Sequence, residues 1–163
     1  MNAGTEEKKQ SMDITLSSTR SMQTSLQAIR SGKAGLDGHR QSMLNRVPEI
    51  GDWASFKYEF IMLKDLAYLT AKTGDEFALL RGKKEDILFH GDSRNCVFDG
   101  TLVDMLMTHK LYIVGHSHSG EPIPRPSGND REALEVIGQE KSTVISAMSG
   151  MCIDFSADSF EIW

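Results

Sequence analysis

The sequence predicts an α/β fold, with helices layered on a small mixed sheet. Two observations lead there. Short apolar runs of strand length, "FALL", "ILF" and "LYIV", are separated by charged or glycine-bearing turns. Segments with apolar residues at helical spacing lie before and between them, in the order helix, hairpin, strand, loop, helix, strands. That order is the one an α/β layer produces.

Composition bounds the function. The 163 residues fit one domain with room for an appendage, and at 39% hydrophobic they can bury a sizeable core. A net charge of -5 and a pI near 5.5 argue against a phosphate-neutralising surface, so no nucleic acid is expected as a partner. No apolar run approaches the roughly 18–20 residues that cross a bilayer, and the N-terminus has no apolar signal core. A soluble protein without a membrane partner is expected, cytoplasmic by default. Cys96 and Cys152 are the two cysteines. They define neither a disulfide framework nor a four-thiolate site, and they read as ordinary semi-buried thiols.

The elements follow in order. Residues 1–52 contain no Phe, Trp or Tyr and are rich in Ser, Gln, Gly and Met. Residues 1–50 carry seven Lys or Arg against five Asp or Glu, whereas residues 51–163 carry 11 against 18, so the net acidity lies in the second part. Without aromatics the first part cannot build much core alone. Met12, Leu16, Thr19, Met22, Leu26 and Ile29 fall near a helical period, giving a weakly amphipathic helix between about Gln10 and Arg30. The glycines of "SGKAGLDG" break it. Residues 1–50 are read as a helical linker or docking arm, open to a partner or to self-association through its helix. Residues 51–163 are read as the functional domain.

From Trp53 the signal strengthens. "WASFKYEFIMLKDLAYLTAKTG" places Phe56, Phe60, Leu63, Leu66 and Ala67 on one broad face, so a helix is expected to run to Gly74. "DEFALLRG" and "DILFHGD", joined by "KKE", form a hairpin. "TLVDMLMTHK" is helical or irregular. "LYIVGHSH" is a buried strand, and a helix begins near Asn129 with Ala133, Leu134 and Ile137 inward. "STVISAMS", "MCIDFS" and "SFEIW" are candidate closing strands.

The chemistry concentrates in "VGHSHSGEPIPRPSGND". Side chains at i and i+2 of a strand share a face, so His116 and His118 can reach one metal ion. A catalytic zinc takes three protein ligands and keeps one position open. Asp130, returned by a loop with three prolines and two glycines, is placed to be the third. Ser127 stands three residues before it, as a helix cap or as a donor into the site. Amide hydrolysis also needs a group that carries a proton to the leaving nitrogen. Glu76, at the head of "EFALLRG", is the candidate.

A Glu opening a "GLLLG"-like strand, then His-x-His, a proline-rich loop and Ser-x-x-Asp, resembles the JAMM/MPN+ metalloproteases. The resemblance spans roughly Ala54 to the C-terminus. It implies a JAB/MPN-like (deaminase-like) mixed sheet flanked by helices, and a zinc-dependent peptidase of the isopeptidase type. The substrate would be a protein or peptide, including ubiquitin-like ones. In that pattern His116, His118 and Asp130 bind Zn2+, Glu76 is the general acid/base, and Ser127 steadies the oxyanion. Two features depart from the family. Eleven residues separate His118 from Asp130, one more than is usual, and Ser119 stands where a proline usually follows the second histidine. Neither removes a ligand.

His39, His90 and His109 lack a partner pattern and read as surface or satisfied histidines, and the nine methionines are scattered core fillers. No His-Glu-x-x-His occurs, the Pro-Cys-x-x-Cys of deaminases is absent, and Gly120 breaks a metallo-β-lactamase pattern. Two other readings stand beside the peptidase. One is a non-catalytic MPN-like scaffold or protein-recognition module. The other is the C-terminal effector domain of a larger secreted protein, suggested by the order of arm and domain.

Overall fold

The computed structural model describes residues 20–158. Within them the chain passes through a helical segment at 20–30 (α1), α2 (Gly38–Arg46), β1 (Trp53–Lys57), α3 (Leu63–Thr73), β2 (Phe77–Arg81) and β3 (Glu85–His90). It continues through α4 (Gly100–Met107), β4 (Tyr112–His118), α5 (Gly128–Ile137), β5 (Lys141–Ser146) and β6 (Cys152–Ser156). The strands form one six-stranded mixed sheet in the order β1-β3-β2-β4-β5-β6, flanked by five helices. β4 and β5 run parallel, joined by the α5 crossover, and every other pair is antiparallel.

The long helix expected from Trp53 divides in two. Its second half is α3, closed by Gly74 at φ 79°, where a left-handed residue ends the helix without a Cβ penalty. Its first half is β1, paired residue by residue with β3. Phe56 and Phe60, four apart, suggested one helical face. In the strand Phe56 is buried, whereas Phe60 is 78% exposed. Tyr58, at φ 64°, turns the chain out of β1 and separates the two elements. The expected hairpin forms as β2 and β3. "TLVDMLMTHK" is helical in α4, and α5 starts one residue before Asn129. "STVISAMS" and "MCIDFS" are β5 and β6. "SFEIW", and the part of the N-terminal helix before residue 20, lie outside the described residues.

Strand alternation gives the sheet two apolar faces. Phe77, Leu79, Leu88 and Ile145 pack against α3 on one side, joined by Leu26 and Ile29 of α1, Met43 of α2, and Val47. The described part of the aromatic-free segment thus adds side chains to a core that later residues build. Arg40 fastens it further, with an ion pair to the buried Asp65 at 2.9 Å and its guanidinium over the Tyr68 ring. On the opposite face Ala78, Leu80, Phe89, Ile113 and Val144 meet α4 and α5 through Leu102, Leu106, Leu134 and Ile137. Among the described residues no helix is long and apolar enough to cross a membrane.

Candidate metal centre

β4 ends in Gly-His-Ser-His, and alternation sends His116 and His118 to the α5 side while Ser117 points to the α3 side. The Ser117 hydroxyl, fully buried, fixes this end of the strand. It accepts a hydrogen bond from the Phe77 amide at 3.0 Å and lies 2.6 Å from Thr70 Oγ1, tying β4 to both β2 and α3. No feature of the sequence flagged Ser117. Its role follows from its place between two residues that face the other way.

Glu76 reaches the same place through strand register. β2 and β4 pair with Ala78 opposite His116, so continuing two residues sets Glu76 across from His118. The Glu76 backbone is pinned on its other side, its amide to Asp92 O at 2.8 Å and its carbonyl to the Gly91 amide at 2.7 Å. A Cβ at Gly91 would lie 2.6 Å from Asn95 O and 2.8 Å from Cys96 Sγ, so only glycine lets this turn close against Glu76.

Asp130 arrives from the other direction. The proline-rich loop is tied down by Ser146, which donates to Glu121 O, and by Ser149, which donates to Pro122 O. Pro124 and Pro126 are buried. Ser127 then caps α5 with Asp130 as its capping-box partner. The Asp130 amide donates to Ser127 Oγ at 3.0 Å, and the Ser127 amide donates to Asp130 Oδ2 at 2.7 Å. This reciprocal pair aims the Asp130 carboxylate back at β4.

Four of the five residues singled out in the sequence thus meet. His116 Nε2 and His118 Nε2 are 3.0 Å apart, and Asp130 Oδ2 lies 3.1 Å from the first and 3.3 Å from the second. Glu76 Oε1 lies 3.0 Å from His118 Nε2. Ser127 stands at the rim, exposed. Its Oγ accepts the cap hydrogen bond, and its own proton is left for another acceptor.

No protein-family model, curated protein or solved structure matches the chain.

The geometry suits a cation. Glu76, His116 and His118 offer ligand atoms within 4.8 Å of one another, and this group could hold a metal ion. The His116, His118 and Asp130 atoms form a triangle with edges of 3.0–3.3 Å. Donors about 2.0–2.1 Å from a tetrahedral ion stand roughly 3.3 Å from each other, close to those edges. Imidazole nitrogen with carboxylate oxygen is also a donor set that binds such ions.

Without a metal, protons do the same work. Burial pushes the His118 pKa down, but hydrogen bonds to Asp130 and Glu76 outweigh it and raise it to about 9. Burial alone would raise the Asp130 carboxyl, yet the two imidazoles hold it well below the usual carboxylate range. The metal-free centre therefore favours a protonated His118 beside the Asp130 carboxylate.

Among the remaining histidines, His39 and His109 are exposed. His90 is buried, with Nδ1 2.7 Å from Val47 O and Nε2 2.8 Å from Asp75 Oδ2. Cys96 and Cys152 are free thiols, the first half-buried and the second exposed rather than semi-buried, and burial of its sulfur raises the pKa of Cys96.

Proposed function

We propose that this protein is a zinc-dependent hydrolase of amide or isopeptide bonds with a JAB/MPN-like fold, akin to the JAMM/MPN+ metalloproteases. One observation carries the reading. Side chains from the start of β2, the end of β4 and the first turn of α5 converge on one point, and they are the residue types and the chain order of that family's motif. In this reading His116, His118 and Asp130 hold the ion, because Asp130 Oδ2 touches both imidazoles while Glu76 touches only His118. Bound zinc supplies a Lewis acid that polarises a carbonyl and makes hydroxide available near neutral pH.

The chain's own residues do the rest. Glu76, 3% exposed and fixed by its backbone hydrogen bonds, takes a proton from the attacking water. It then delivers that proton to the leaving nitrogen, so one carboxyl serves as base and then as acid. Ser127 has a hydroxyl proton to offer the developing oxyanion, and the capping box sets where that hydroxyl sits. Asp130, held as a carboxylate, needs no deprotonation to act as a ligand.

The test has two parts. Elemental analysis of purified protein should give about one zinc per chain. The zinc-loaded protein should cleave a member of a panel of isopeptide-linked ubiquitin dimers and amide-bonded peptides, and Glu76→Gln should keep the zinc and lose cleavage by about 100-fold or more. Cleavage that persists unchanged in Glu76→Gln would sink the mechanism. A well-folded protein that takes up no zinc would sink the hydrolase reading itself and leave a recognition scaffold.

A further inference from the structure

A cavity of about 80 Å³ opens between the sheet and α5 beside the metal centre, and His116 and Asp130 are part of its wall. The remaining wall is mostly apolar: Ala78, Phe98, Ile113, Ala133, Leu134 and Phe155. The polar groups beside them are partly silenced. Ser142 donates its hydroxyl to Ile113 O at 3.0 Å, and the protonated Cys96 thiol behaves as a small apolar group. A molecule whose reacting group sits at the triangle of ring nitrogens and carboxylate therefore has this hollow as its immediate neighbour.

We propose that the cavity is a specificity subsite that takes one aliphatic side chain, of valine to leucine size, from the substrate residue flanking the scissile bond. The inference rests on the hydrolase reading above and names the substrate feature it selects. Size sets the class. A dry apolar cavity of about 150 Å³ holds one benzene, so one of about 80 Å³ has room for a branched aliphatic group and not for an aromatic ring. The wall sets the polarity. A charged side chain would be desolvated with only Asn95 and Asn129 as spare polar neighbours, and next to the Asp130 carboxylate an acidic one would also be repelled. Shape sets the sharpness, because a pocket of this kind discriminates by roughly tenfold or more for each methylene it gains or rejects.

The experiment uses the full chain, metal-free, with methyl-labelled Ile, Leu and Ala, titrated with isovaleramide and separately with phenylacetamide. Isovaleramide should shift the methyl signals of Ile113, Leu134 and Ala78, and phenylacetamide should bind at least about tenfold more weakly. Ala133→Leu, which fills the cavity from α5, should abolish the isovaleramide shifts while thermal unfolding stays cooperative. Ala78→Val narrows the same space from β2 with a residue suited to a strand, and serves if the first variant does not fold. Three outcomes each overturn the proposal: no methyl shifts up to saturating isovaleramide, equal binding of the two amides, or binding untouched in the filled variant. The titration reads neither zinc nor hydrolysis, so its failure is distinct from failure of the hydrolase reading, which zinc uptake and Glu76→Gln decide.

Discussion

Two histidine clusters stand on either side of the Asp75–Glu76 pair, built from the same residue types and differing in how their partners are shared. His90 has one partner for each ring nitrogen, a backbone carbonyl and the Asp75 carboxylate, and its ring stacks on Phe77 with centroids 4.4 Å apart. It is 2% exposed and closed. His116 and His118 instead point the same nitrogen, Nε2, at each other and at a shared carboxylate oxygen, with Glu76 at the side. A buried histidine that serves packing distributes its hydrogen bonds outward. A cluster whose atoms converge on one point gains from a cation or a shared proton placed between them. Both clusters are His–carboxylate groups within the fold, and the convergence of ring nitrogens on one point is what separates them.

The largest expected effect breaks the convergent cluster. If the proposed zinc site is right, His116→Ala or His118→Ala should weaken zinc binding by more than about 100-fold, beyond what loss of an outer partner costs. Equilibrium competition with a chelator measures it. Next, His90→Ala removes the ring-nitrogen partner of both the Asp75 carboxylate and the Val47 carbonyl and should cost roughly 1–3 kcal/mol of stability, read by denaturant unfolding, with zinc stoichiometry unchanged. If His90→Ala abolished zinc uptake in a folded protein, the contrast between the clusters would collapse.

Proton competition gives a smaller, graded effect. The raised pKa of His118 means that the metal-free fold gains stability from this proton below about 6.5 and loses it as pH rises through about 9. The depressed Asp130 acts oppositely, stabilising above about 3.8 and losing that contribution as pH falls. In the proposed zinc site the ion competes with the His118 proton, so its apparent affinity should climb about tenfold per pH unit until near pH 9 and then level. A calorimetric titration in two buffers of different ionisation heat should show about one proton released per zinc. The smallest effect on stability belongs to Ser127→Ala. Loss of the cap should cost about 1 kcal/mol, or about 2–4 °C in Tm, while the Ser127 amide continues to hold Asp130.

Much of the centre was readable because its parts are local. The i, i+2 spacing of His116 and His118 needs nothing beyond strand alternation to share a face. The Ser127–Asp130 capping box is a four-residue pattern that also aims its carboxylate. Glu76 was singled out by motif context and not by geometry, since 42 positions separate it from His118 in the chain. The Ser117–Thr70 link, the Gly91 turn and the His90–Asp75 pair left no sequence signal, because each joins residues far apart whose types are common in loops and cores. The strand at Trp53–Lys57 was misread for a related reason: its apolar spacing fits a helix almost as well as a strand, and the decision lies with β3, which supplies the hydrogen bonds.

By itself, then, the sequence determined the alternation of helix and strand after residue 60, the face shared by the two histidines, and the cap that turns Asp130. Each depends on dihedral preferences and hydrogen bonds within a few residues. The tertiary structure alone decided that Trp53–Lys57 is an edge strand and that Leu26, Ile29, Met43 and Val47 join the core. It also decided that Glu76 sits opposite His118 with an apolar cavity alongside. Strand register and the packing of helices on a sheet are set by which distant surfaces exclude water together, a quantity that no short window of the chain contains.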